Sequence, residues 1–353
     1  MDHSFPTEMR CIALNGEPMA FIPSYKALYD TGDLHRRADV LEEKLAACSI
    51  CPHDCGNNRL KNEIARCYSG YLPIVSAYCP HFGEEPQLVG SHGVGNIFFG
   101  SCNLRCAYCQ NFEISQNWKV ERKNEVSFER LAEIMLELQE EGCHSIGLVS
   151  PTHFAPQIVR SLCIAVRWGL HLPLVYNTNA YDSVEVVRLL DGIIDIYLPD
   201  LKYSDDAFGW KYSNVPRYRD CARAAIKEMH RQVGSKLVLG DDGLVKRGLI
   251  IRHLIMPNDI AGSEASLRWV AEELGRDITL SIMAQYYPAH KARDMELIDR
   301  KVSAGEYNRV LRLLERLGMD HGWAQDWEQA SEYYRPEFKD REEPFKGRQS
   351  NHD

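Results

Sequence analysis

A chain of 353 residues can form one large domain or two smaller ones, with a sizeable buried core. Its net charge of −9, spread over intermixed acidic and basic residues, argues against a bulk electrostatic nucleic-acid binder. No apolar run is long enough to cross a bilayer, and the opening MDHSFPTEMR lacks a basic region followed by an apolar run, so the expectation is a cytoplasmic protein with no membrane partner.

Residues 1–90 read as a helical and cysteine-rich extension. A helical segment lies in ALYDTGDLHRRADVLEEKLAAC, and a loop-rich stretch from 46 to 90 holds Cys48, Cys51, Cys55, Cys67 and Cys79. Strands and helices then alternate across residues 91–320. GNIFFG is an apolar strand, and SFERLAEIMLELQEEG a helix capped by Ser127, with Phe128, Leu131, Ile134, Met135 and Leu138 on one face. SIGLVS is a strand, residues 155–168 a helix, LPLVYNTN a strand and SVEVVRLLDG a helix ending at Gly192. IDIYLPDLK is a strand, DCARAAIKEMHRQV a helix and GDDG a hairpin turn. LIIRHLIM and ITLSIMAQYYP are strands, and SAGEYNRVLRLLERLG is a helix with a Ser303/Glu306 capping box. Residues 321–353 form a polar tail or extended arm.

Such alternation predicts an α/β fold with a parallel sheet and helices outside it. Polar residues gather after successive strands, in SPTH, NTN and PDLK. That favours a full or partial (β/α) barrel, in which those strand ends share one mouth.

Of the twelve cysteines, eight fall between Cys48 and Cys109. In a large chain without a visible secretory signal, such a cluster points to metal ligation rather than disulfides. Cys102, Cys106 and Cys109, in FFGSCNLRCAYCQNFEIS, directly follow the first predicted strand with C-x3-C-x2-C spacing. Three thiolates can hold three irons of a four-iron, four-sulfur cluster and leave the fourth iron open to an amine and a carboxylate. The plainer reading is a buried or zinc-binding cysteine group.

CNLRCAYCQN resembles the signature of the radical S-adenosylmethionine (SAM) superfamily, in its branch related to pyruvate formate-lyase-activating enzyme. The resemblance covers about residues 46–320. It implies a radical-SAM-type barrel and an open iron that binds SAM through its amino and carboxylate groups. One-electron cleavage there yields a 5′-deoxyadenosyl radical. The electron donor would be a protein such as flavodoxin or ferredoxin. Tyr108 takes the aromatic position, near the adenine in the family. A Gly-Gly-Glu-like motif usually follows the second strand; here Ser150, Pro151, Thr152 and His153 stand in its place.

The other strand ends supply candidate SAM contacts. Thr152 and His153 can hydrogen-bond the cofactor, or His153 can serve as a capping or core residue. Asn177 and Asn179 can bond ribose hydroxyls, with Thr178 pointing the other way, or satisfy their turn. Asp200 and Lys202 share a face and match the family's Asp-Leu-Lys, a carboxylate for the cofactor's ammonium and a lysine for its carboxylate; the alternative is a rim ion pair. Arg252 and His253, and Gln285 and Tyr286, end later strands.

Upstream, Cys48, Cys51, Cys55 and Cys67 give C-x2-C-x3-C-x11-C, a set suited to a zinc ion or an auxiliary iron–sulfur cluster, with Cys79 able to replace one ligand. Cys11, Cys143, Cys163 and Cys221 read as core or surface thiols. The leading functional expectation is a glycyl-radical-enzyme activase acting on a glycine of a partner protein. The alternatives are a radical SAM enzyme modifying a small molecule or another peptide, and a non-catalytic iron–sulfur or zinc protein.

Overall fold

The computed structural model describes residues 21–328 together with Phe338, Arg341, Pro344 and Phe345. Cys11 and most of the expected C-terminal arm lie outside the described residues. The predicted first helical segment is two helices, Tyr25–Asp30 and Asp33–Glu43, because Gly32 between them adopts φ 79°.

The sheet contains β1 (Val75–His81), β2 (Val94–Phe99), β3 (Ile146–Val149), β4 (Leu174–Thr178), β5 (Ile196–Pro199), β6 (Val238–Leu239), β7 (Val245–Leu254), β8 (Thr279–Met283) and β9 (Gly322–Ala324). Its hydrogen-bonded order is β1-β2-β3-β4-β5-β7-β8-β9, with β6 paired to β7 through the expected hairpin. β1 runs antiparallel to β2, and the path from β2 to β9 is parallel throughout. β1 and β9 stand at opposite ends of that path. The architecture is therefore a parallel α/β sheet in partial-barrel form, helices outside, with strand C-termini along one mouth.

Local chemistry fixes the helices much as the sequence suggests. Ser127 accepts from the Arg130 amide at 3.1 Å and starts Phe128–Glu140, which buries Leu131, Ala132, Ile134, Met135 and Leu138. Ser303 and Glu306 form the reciprocal capping box that opens Ala304–Leu317. Helix Ala155–Arg167 buries most of its length under the sheet. β1 escaped the periodicity reading. It lies in a proline- and cysteine-bearing stretch, and Pro80 is tolerated because β1 is an edge strand. No helix among the described residues is long and apolar enough to cross a membrane.

Candidate catalytic site at the barrel mouth

The three-cysteine loop begins one residue after Gly100, at the end of β2. Ser101 turns the chain with φ 65°, and Ser150 and Ala180 do the same after β3 and β4 with φ 58° and φ 63°. Left-handed conformations cost non-glycine residues free energy, and they cluster where a site over-determines the backbone.

Each thiol in the loop meets a donor. The Leu104 amide and the Asn179 side-chain amide donate to Cys102 Sγ at 3.4 and 3.6 Å. Ser213, at the end of helix Asp206–Ser213, donates to Cys106 Sγ at 3.0 Å, and Ser115 Oγ lies 3.2 Å from Cys109 Sγ. Burial pushes the Cys106 thiol up to about 12, while the Lys202 ammonium pulls against that shift. Cys102 and Cys109 are likewise raised by burial and opposed by Lys202. The loop thus pairs its three sulfurs with N–H and O–H donors and one cation, which favours bound thiolates. Among the described residues, no three His, Cys, Asp or Glu side chains close on the position of a single ion.

The structure places the other candidates in three different settings. Lys202 lies near the thiols and pairs with Asp200, Nζ to Oδ2 at 2.7 Å. Asn177 lines a cavity of about 930 Å3 inside the barrel, whose wall also includes Glu84, Glu85, Arg252, Gln285 and Phe345. The remaining candidates are tied into the protein. Thr152 Oγ1 sits 3.1 Å from Thr178 Oγ1, which donates to buried Asp182. Asn179 donates to Asn103 Oδ1 at 2.7 Å and bonds the Tyr181 amide. His153 Nε2 lies 3.0 Å from the Gly100 carbonyl. Tyr108 is buried among Tyr203 and Tyr286 and accepts from the Tyr203 hydroxyl.

At the later strand ends, His253 is fully buried between Leu201 O and Ser263 Oγ, and Tyr286 bonds Ile298 O. Arg252 faces the cavity, held in two bonds by Glu85 and in contact with Glu84. Burial alone would raise the Glu84 carboxyl, but Arg252 and His81 beside it hold it down to about 2. Sequence reasoning missed Glu84 and Glu85, since they lie in the connection between β1 and β2, outside the strand-end pattern. The only signal was the adjacent acidic pair in HFGEEPQLVG.

The Radical SAM superfamily family model matches residues 96–241, which include all three cysteines and the Asp200/Lys202 pair. An uncharacterized protein of Methanocaldococcus jannaschii is 30% identical over 298 residues, spanning 81% of this chain and 80% of the relative. The chain belongs to the radical SAM superfamily. A second uncharacterized protein of the same archaeon is 23% identical over 274 residues, 72% of this chain and 74% of that relative. Among solved structures, HydG, a maturase of the FeFe hydrogenase, overlaps with a TM-score of 0.38 at 12% identity, covering 64% of this chain and 48% of that one. Membership of the radical SAM superfamily implies a four-iron, four-sulfur cluster and SAM. The donors around Cys102, Cys106 and Cys109 fit such a cluster, because each sulfur has a hydrogen-bonding partner that suits it as a thiolate.

Proposed function

We propose that this radical SAM enzyme acts on a peptide segment of a partner protein, in the manner of a glycyl-radical-enzyme activase. The observation that carries the reading is the open side of the barrel. The large cavity is lined by His81 of β1 and by Trp323 and Ala324 of β9, the two ends of the strand path. A cavity bounded by both edges can admit an extended chain from the side. Cys102, Cys106 and Cys109 would hold the cluster, which with SAM would supply the one-electron chemistry for taking a hydrogen atom from a substrate carbon, with 5′-deoxyadenosine and methionine as the products of SAM.

The protein's own residues serve binding and exclusion of water. Asp200 and Lys202 would exchange their mutual contact for the cofactor's ammonium and carboxylate. Asn177 offers an amide to the nucleoside or the incoming chain. Asn179, held on Asn103, keeps the Cys102 turn fixed. A one-electron protein donor of the flavodoxin or ferredoxin class is required.

The test is anaerobic turnover with reductant, SAM and a deuterated host-protein fraction, run in parallel with deuterated small metabolites. Deuterium in 5′-deoxyadenosine from the protein fraction supports the reading. Transfer from the metabolite fraction alone overturns it in favour of a small-molecule substrate. The Cys102→Ala, Cys106→Ala, Cys109→Ala protein should lose both the cluster's paramagnetic resonance signal and all 5′-deoxyadenosine formation.

A further inference from the structure

Cys48, Cys51, Cys55 and Cys67 line one small cavity, and Arg59 and His153 are among the other residues that line it. The local fold explains why the thiols meet. The Cys48 amide bonds Asn57 O at 2.9 Å and the Gly56 amide returns to Cys48 O at 3.0 Å, closing a loop that holds Cys51 and Cys55. Gly56, at φ 67°, makes that turn.

Arg59 and His153 are each 1% exposed, and each has one polar atom with no protein partner. Arg59 gives Nε to Gly70 O and one amino group to His153 O, which leaves its second amino group unpaired. His153 lies 3.0 Å through Nε2 from the Gly100 carbonyl. A carbonyl only accepts, so Nε2 carries the proton and Nδ1 presents a bare lone pair, which is the other unpartnered atom. Leaving such groups buried and unpaired is costly. The imidazole is held through one nitrogen on a backbone carbonyl and lines a cavity together with four cysteines, the usual posture of a metal-ligating histidine.

We propose that a second metal centre draws its four protein ligands from Cys48, Cys51, Cys55, Cys67 and His153, with Arg59 supplying a charge-compensating hydrogen bond to the thiolate sulfurs. This assigns His153 to the upstream centre rather than to SAM. The donors surround a cavity of only about 10 Å3 without closing on a single point, so binding a metal or a cluster there moves them.

The centre is also joined to the catalytic loop. His153 holds Gly100, two residues before Cys102. His53, between Cys51 and Cys55, bonds Asn103 O at 2.8 Å, and Arg105 donates to Arg66 O at 2.8 Å while stacking over Tyr68. Occupancy of the upstream centre therefore bears on the geometry of the loop that carries Cys102, Cys106 and Cys109.

The experiment uses the full chain, reconstituted anaerobically with iron and sulfide or supplied with zinc. Metal content and the rate of metal release to a chelator are read for the wild type, for Cys51→Ser/Cys55→Ser and for His153→Gln. Glutamine can keep an N–H on the Gly100 carbonyl while removing the Nδ1 lone pair. The wild type should carry a second metal complement beyond the first cluster, about one zinc or about four further irons, and the content identifies which. The double-serine protein should lose only that complement. His153→Gln should hold it roughly 10- to 100-fold more weakly. Wild type with about four irons, no other metal and all four upstream thiols open to alkylation overturns the centre outright. Retention in His153→Gln equal to wild type removes His153 from the donor set. Both wild-type readings stand whether or not a variant folds.

Discussion

Lys202 is the residue on which cofactor binding and cluster chemistry meet. Burial would strip its charge, but Asp200 and the Cys106 and Cys109 sulfurs push its pKa up, so the ammonium persists beside the thiols. The expectation for Asp200→Ala is weaker SAM binding by on the order of 1.5–3 kcal/mol, the worth of a charge-assisted contact, with an unchanged cluster spectrum. Calorimetry checks it; equal affinity in both proteins would make the pair a rim ion pair only. His253 shows the opposite electrostatics. Fully buried, it stays neutral, with a pKa held below the ordinary 6.5 chiefly by burial. The unfolded chain takes up a proton below that value and the folded chain does not, so stability is present above pH 6.5 and is lost as pH falls. The slope is about 1.4 kcal/mol per pH unit for each such group. Urea midpoints between pH 7.5 and 5 should fall less steeply in His253→Gln than in the wild type. The sequence placed Asp200 and Lys202 on one face of a strand; in the structure β5 ends at Pro199, and the two pair just beyond it. The fixed positions of Thr152 and Asn179 were not legible, because their partners arrive from sequence separations of 26 and 76 residues.

At the scale of elements, the strands that read clearly were those whose apolar runs are covered by helices: β2 to β5, β7 and β8. β9 has only three residues and β1 pairs antiparallel at the edge, so neither carries a helix-alternation signal. Packing between strands also set a residue choice that no pattern reveals. At Gly147 of β3 an added Cβ would lie 1.9 Å from Asn96 Oδ1 and 2.8 Å from Val94 Cγ1, both on β2. Asn96 reaches across that glycine to donate to Glu84 at 2.7 Å. Gly147→Ala should therefore cost about 1–3 kcal/mol by overpacking and push Asn96 off the carboxylate. A denaturant titration reads the first effect. If the variant melts with the wild type, the Asn96 side chain is free to swing away and the close approach does not constrain the site.

For the molecule as a whole, the end of the described chain returns against β1 and β2, beside the edge of the cavity. Phe338 and Phe345 pack with Ala77, Phe98 and Ile114 into a small separate core against β1 and β2, and the Phe345 ring lies 4.1 Å from that of His81 at the cavity wall. The sequence suggested only a polar arm, since two phenylalanines among many charges show no period. The contact is fixed by Arg341, which pairs with Glu121 at 2.6 Å and donates to Ser76 O. The Glu121 side chain is 0% exposed, so its carboxylate has neutral donors from Ser76 and Asn124 and Arg341 as its cation. Arg341→Ala leaves that charge buried and uncompensated, at a cost of about 1–3 kcal/mol, moderated because water can enter where the arginine was partly exposed. Replacing Glu121 by Gln in the same protein removes the stranded charge and should restore most of the loss. Urea midpoints of the wild type, the two single variants and the double variant close the cycle. Coupling near zero would mean that the returning chain rests on its phenylalanines alone.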